Sequence, residues 1–213
     1  MFKPIFSEDF TSENSVQLDL SKNNPNLKTD IFQDVELFST YINQLIGPNW
    51  GIGGYLEHRK IYEAHSNFAT QQSDFRNIHL GIDIWAAAGT PVLAPQDGVV
   101  HALQINEGLG NYGPTIILRH EFGGQTLYSL YGHLSHKDLE PLKIGQYIRQ
   151  GDVFCHLGHS SENGSWPPHL HVQCIRDLQH FVGDYPGVCL ERDQAFYAQN
   201  CPDPRVLWER KYI

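Results

Sequence analysis

From Arg76 to Ile175 the chain is a succession of short apolar runs broken by Gly, Pro and Asp, and this punctuation restricts its fold more than any other feature. Residues 92–94, 98–105, 115–122, 126–134, 146–157 and 170–175 each have strand character, and Gly123-Gly124 reads as the hairpin turn between two of them. Many short strands at this spacing predict a mainly β fold with a sandwich or barrel-like core.

Outside that stretch the pattern changes. Residues 1–29 are polar and irregular, with a turn cluster at Asn23 to Asn26. From Asp30 to Ile46 the residues Ile31, Val35, Phe38, Ile42, Leu45 and Ile46 recur at helical spacing. Asp30 is placed to cap this helix with Gln33 reaching back, and Gly47-Pro48 ends it. An amphipathic helix covering one end of the core is expected. Residues 51–75 read as a strand or two plus loop, with His58 and His65 in surface or packing roles. The expected organisation is an N-terminal extension over 1–75 carrying one helix at about 30–46, a β domain over 76–176, and a C-terminal extension over 177–213 packed on the core.

A net charge of -9 without any cluster of Lys or Arg excludes nucleic acid and anionic membrane surfaces as expected partners. No run approaches the roughly 20 apolar residues of a membrane helix, and the first ten residues lack the apolar stretch of a signal peptide. A cytoplasmic location is therefore expected, with the cell envelope, reached by a route not visible here, as the alternative. Cys155, Cys174, Cys189 and Cys201 are spaced too widely for a metal knuckle and read as free thiols.

The chemistry concentrates at His169-Leu-His171, behind Pro167-Pro168. In a strand, residues two apart share a face, so His169, His171 and Gln173 point one way and Leu170, Val172 and Cys174 the other. This predicts a half-buried strand with one wet, chemical face. Two other sites can join it. His79 and Asp83 would be about 13 Å apart on a straight strand, too far for a shared ion, so they converge only if the chain bends at Gly81. His133, in Tyr-Gly-His-Leu-Ser at a strand end, reaches the same rim, with Gly132 permitting close approach. Three His/Asp/His ligands with a fourth position left for water are what a catalytic zinc site requires. His120-Glu121 begins an HExxH pattern, but position 124 is Gly and the segment reads as strand, so it is set aside.

The segments HLGID at 79–83, YGHLS at 131–135 and HLH at 169–171, in that order, resemble the LytM/lysostaphin-type zinc metalloendopeptidases. GTPVLAPQDGVV at 89–100 and IGQYIRQGDVFCHLG at 144–158 are similar to that family's connecting segments. The resemblance implies an antiparallel β core of that type and one zinc ion held by His79, Asp83 and His171. It also implies unligated catalytic roles for His133 and His169, and a peptide or peptidoglycan substrate. Arg76, Asn163 and Trp166 are candidates for substrate contact; the alternatives are a surface role for Arg76 and loop architecture for the other two.

Where relatives commonly carry a small residue and Gly before the proline of the HLH strand, this chain has Trp166-Pro167-Pro168, and the indole there is expected to narrow the cleft. The expected activity is zinc-dependent hydrolysis of peptidoglycan peptides or related small peptides. The alternatives are a zinc- and peptide-binding module without turnover and a cytoplasmic metal-dependent amidase.

Overall fold

In the computed structural model, which describes residues 3–64, 66–71, 74–122 and 124–209, the strands assemble chiefly into one sheet of eight. The first elements are β1 (Ser15–Leu18), α1 (Val35–Ile46), β2 (Trp50–Gly53), β3 (Ile78–His79), β4 (Ile82–Trp85) and β5 (Pro91–Leu93). The long central strands β6 (Gly98–Asn106), β7 (Gly113–Phe122) and β8 (Gln125–Gly132) follow. Then come β9 (Tyr147–Ile148), β10 (Val153–His156), β11 (His169–Ile175), β12 (Val188–Cys189) and α2 (Gln194–Asn200). The sheet order is β1-β2-β4-β11-β8-β7-β6-β9, antiparallel except for the β1–β2 pair. Two small pairs, β5–β10 and β3–β12, stand outside it.

Period-two alternation sorts the side chains of the large sheet. Ile82, Ile84, Val100, Ile116, Leu118, Tyr131, Leu170, Val172 and Cys174 enter one core with Val92, Phe154 and Cys155 of the β5–β10 pair. This is the sheet-on-sheet packing expected of a β-sandwich. Ala102, Ile117, Leu130 and Ile175 pack on the opposite face against Ile78 and Leu80 and against Leu178, Tyr185, Cys189 and Cys201 of the C-terminal residues. α1 closes the same face further along, where Phe38, Ile42 and Ile46 meet Leu18, Trp85 and Trp166. Both faces are therefore covered, and all seven residues of β11 are buried. The wet face expected for the HLH strand is instead roofed by the two extensions.

Several boundaries differ from expectation. The helix does not begin at Asp30: Thr29–Gln33 is a 3₁₀ turn, and Asp34 caps α1 by accepting from the N–H groups of Glu36 (2.8 Å) and Leu37 (3.2 Å). Gly47, at φ +57°, ends the helix as anticipated. Leu45 faces solvent instead of the core. The 146–157 run splits into β9 and β10 around a turn at Gly151. The division at 75/76 does not interrupt the packing, because β1 and β2 extend the large sheet beyond β4. β12 likewise ties the C-terminal residues to His79 and Ile78. Phe122 pairs with Gln125, and Gly124, at φ +83°, turns the β7–β8 hairpin. Gly123 and His65 lie outside the described residues. His120 is buried within β7 while Glu121 is exposed, in keeping with a strand. All four cysteines are free and buried. Among the described residues no helix is long and apolar enough to cross a membrane.

Replacing Asp34 by Ala removes the side-chain acceptor for two helix N–H groups. We expect a loss of about 1 kcal/mol in urea unfolding; an unchanged midpoint would show that the cap does not contribute.

Candidate active site

The register of the sheet places the reactive side chains in one row. Gly53, Asp83, His171 and Gly132 are successive partners across β2, β4, β11 and β8, and one step along His169 lies opposite Trp85. Asp83 and His171 therefore meet as a directly opposed pair on one face. His79 reaches them from outside the sheet, because β3 and β4 belong to different sheets and Leu80-Gly81 turns between them. Gly81 is not in a left-handed conformation; its missing side chain matters for space. A Cβ there would lie 2.6 Å from Cε1 of His171 and 2.7 Å from the carbonyl oxygen of Val172.

His79 Nε2, Asp83 Oδ1 and His171 Nδ1 form a triangle with edges of 3.0, 3.0 and 3.2 Å. Their neighbours settle where the imidazole protons sit. His79 Nδ1–H donates to the carbonyl of Gly54 (2.9 Å), which can only accept, so Nε2 presents a lone pair. Gln173 donates from Nε2 to the carbonyl of Pro186 (3.1 Å), so its Oε1 faces His171 Nε2 (3.0 Å) and His171 Nδ1 is bare. Burial, with the Arg59 cation nearby, pushes His79 down to about 4, so it is neutral near pH 7. Burial opposes the charged form of Asp83, but the Arg59 guanidinium on its other oxygen outweighs it and holds the carboxyl well below its usual range.

Three electron-pair donors thus converge with no proton between them, an arrangement that repels itself unless a cation sits among them. Donor atoms about 2.1 Å from a tetrahedral zinc ion lie about 3.4 Å apart, so the triangle fits that ion within a few tenths of an ångström. It is the one such group of His, Cys, Asp or Glu among the described residues.

Two further imidazoles border the triangle. His133 Nδ1–H donates to the carbonyl of Asn163 and His169 Nδ1–H to that of Pro167, each at 2.7 Å, which leaves both Nε2 atoms as acceptors. The rings are 4.2 Å apart between centroids, and His169 Nε2 lies 3.8 Å from Asp83 Oδ1. Trp85 stacks on His169 at 5.3 Å. Burial lowers the pKa of both histidines, His133 well below the ordinary value, so each ring stays neutral and able to accept a proton. His133 also has φ +62°, held by its N–H to Tyr112 (2.8 Å) and its carbonyl accepting from Gly158 (2.9 Å). A non-glycine residue in that conformation costs about 1–3 kcal/mol and persists only where its surroundings impose it. At Gly132 a Cβ would lie 2.7 Å from the Tyr112 ring.

The triangle opens onto a cavity of about 360 Å³. Trp166 and Arg76 line it, with the Arg76 guanidinium donating to the carbonyl of Asn67 (2.6 Å) and lying over the Phe68 ring. Asn163 does not reach the cavity. It is fully buried, its amide exchanging bonds with the backbone of Trp166 and Gly158, so it shapes the loop and orients His133 and is not placed to touch substrate.

Arg59, absent from the sequence-level candidates, lies 2.5 Å from Asp83 Oδ2. No periodicity could reveal it, since its partner is 24 residues further along the chain. Gln173 was legible as sharing the histidine face, though its role depends on Pro186.

Residues 77–182 match the model of Peptidase family M23. An uncharacterized metalloprotease of Haemophilus influenzae is 36% identical over 95 residues, covering 45% of this chain and 18% of that protein. A DD-carboxypeptidase/endopeptidase Mpg of Neisseria meningitidis serogroup B is 36% identical over 96 residues, covering 45% and 20%. The chain thus spans about a fifth of the length of these curated relatives. The catalytic domain of the antimicrobial peptidase lysostaphin from Staphylococcus simulans matches with 26% identity and a TM-score of 0.38, over 57% of this chain and 80% of that one.

Replacing Gln173 by Leu removes the acceptor that fixes the His171 tautomer. Zinc affinity, measured by competition with a chromophoric chelator, should fall roughly 10–100-fold with the fold retained; unchanged affinity would show that His171 does not bind through Nδ1.

Proposed function

The chain belongs to peptidase family M23 through residues 77–182, and we propose on that basis that it is a zinc-dependent endopeptidase acting on peptidoglycan peptides or related short peptides. The observation that carries this reading is the proton arrangement of the four histidines. Each spends its N–H on a backbone carbonyl or on Gln173 and turns its bare nitrogen towards Asp83 or the cavity. His79, Asp83 and His171 would hold the ion, and His133 and His169 would remain unligated beside it. Bound zinc supplies a Lewis acid that lowers the pKa of water towards neutrality and polarises an amide carbonyl.

The protein's own groups perform the proton transfers. His133 and His169 are neutral, and their Nε2 atoms are fixed by the carbonyls of Asn163 and Pro167. One ring accepts the proton of the attacking water, and a protonated ring returns a proton to the leaving amine. The imidazolium formed during turnover stabilises negative charge developing on the carbonyl oxygen. The strained backbone of His133 keeps its ring on the cavity side, so this geometry is present before substrate arrives.

The cavity walls support small substrates. Leu20, Phe38 and Tyr62 from the N-terminal residues and Tyr185 and Val188 from the C-terminal residues are each less than a tenth exposed yet border it. A volume of about 360 Å³ is near the lower end for pockets that enclose small ligands. A short peptide or a free chain end fits such a site better than the middle of a long strand. The narrowing expected from Trp166 is in keeping with this, since its indole borders the cavity at 8% exposure.

Incubating the zinc-loaded protein with soluble muropeptides, synthetic peptides and intact peptidoglycan, followed by mass spectrometry, tests the reading. We expect cleavage of the short soluble substrates, with intact polymer cut more slowly; no cleavage of any amide would overturn it. His171→Ala should lose both zinc and hydrolysis. His133→Gln and His169→Gln should keep zinc while kcat falls about 10²–10⁴-fold; a turnover within a few-fold of the parent would remove them from the chemistry.

A further inference from the structure

The residues that match the family model do not complete the metal centre by themselves. The segment from Gly53 to Arg59, which precedes residue 77, runs beside β3: the N–H of Leu56 donates to the carbonyl of His79, and the N–H of His79 donates to Glu57. From this strap come the Gly54 carbonyl that fixes His79 and the guanidinium that meets Asp83. We propose that Arg59 is a positioning residue of the metal centre. It occupies Oδ2 of Asp83 so that only Oδ1 is offered to the ion, and it withdraws part of the carboxylate's charge from that ion.

Four observations converge on this role. Arg59 is 2% exposed, so its contact with Asp83 is unscreened by solvent. Nη1 lies 2.5 Å from Asp83 Oδ2, while Oδ1 of the same carboxylate faces both imidazoles, so the two oxygens have separate partners. The guanidinium is itself fixed: Nε donates to Glu57 Oε2 at 2.6 Å, and Nη1 is 3.4 Å from the Tyr62 hydroxyl. Gly53 makes the room, since a Cβ there would lie 2.7 Å from Nη2 and 2.6 Å from the Trp85 ring. A planar guanidinium held through Nε and Nη1 is a stronger orienting device than a flexible ammonium.

The positive charge of Arg59 gives its role a sign that a merely structural one lacks. Most neighbours of a metal ligand raise its basicity, so their loss weakens metal binding. Arg59 acts the other way, because a cation on the carboxylate competes with the ion for its negative charge. Removing it leaves a buried carboxylate without its cation in the metal-free protein, and an added ion then restores the compensating charge.

This inference rests on the zinc reading above. Its test compares Arg59→Met and Arg59→Lys with the parent in the full chain, using zinc affinity, thermal unfolding with and without zinc, and the visible spectrum of the cobalt(II)-substituted protein. Arg59→Met should lose thermal stability in chelator and recover it in zinc, with zinc bound roughly 10–100-fold more tightly than by the parent. Its cobalt spectrum should lose intensity as Asp83 becomes free to chelate through both oxygens. Arg59→Lys, which keeps the charge, should return zinc affinity towards the parent value. Weaker or unchanged zinc binding with an unaltered cobalt spectrum would overturn the proposal, and so would Arg59→Met remaining unfolded in zinc. A parent protein that binds no zinc would instead overturn the metal reading itself.

Discussion

Three lone pairs within 3.0–3.2 Å of one another, in a place nearly closed to solvent, are the constraint on which the rest of this structure turns. Such a cluster is tolerable only if each donor is held from behind and the charge among them is balanced. The surrounding chain supplies the support and offsets part of the charge, and a cation among the donors would complete the balance. Gly54 and Gln173 hold the imidazole protons away from the centre, and Arg59 balances Asp83. Pro186 in turn holds Gln173, so the C-terminal residues take part as directly as the strands do.

The same logic accounts for the glycines of the motifs. Gly81 and Gly132 are needed because a Cβ at either position would enter the His171 ring or the Tyr112 ring. Neither adopts a left-handed backbone, whereas His133, which carries a side chain, does. Conformational freedom is therefore used at the histidine and space at the glycines: Gly132 permits the close approach its motif suggests, whereas Gly81 clears room for the His171 ring without adopting a left-handed backbone. The strain at His133 is sustained by two backbone hydrogen bonds and by the Asn163 carbonyl on its ring.

Roofing by both extensions sets this chain apart from an open cleft. Family M23 membership rests on residues 77–182, yet the cavity beside the triangle is also walled by residues that precede and follow that span, among them Leu20, Phe38, Tyr62 and Arg76 on one side and Asp184 to Val188 on the other. A wall made of buried aromatic and aliphatic side chains limits what can approach the reactive nitrogens, and it keeps the dielectric low around them, which strengthens the electrostatic contacts described above.

The strand pattern from Arg76 to Ile175 and the histidine spacing were legible in the sequence because alternation and turn residues act locally. They predicted a mainly β core, placed His169, His171 and Gln173 on one face, and required His79 and Asp83 to be brought together by a bend. The helix was legible too, although its true cap, Asp34, was hidden by a 3₁₀ turn that continues the apolar spacing. Other features were decided only by tertiary structure. These are the burial of the whole HLH strand, the retreat of Asn163 from the cavity, the tautomer of each histidine and the pairing of Arg59 with Asp83. Each depends on groups far apart in the chain, and hydrogen-bond acceptors and neighbouring charges exist at a site only once packing has delivered them there. The residues determined which chemistry is available; the fold decided which atom of each residue faces it.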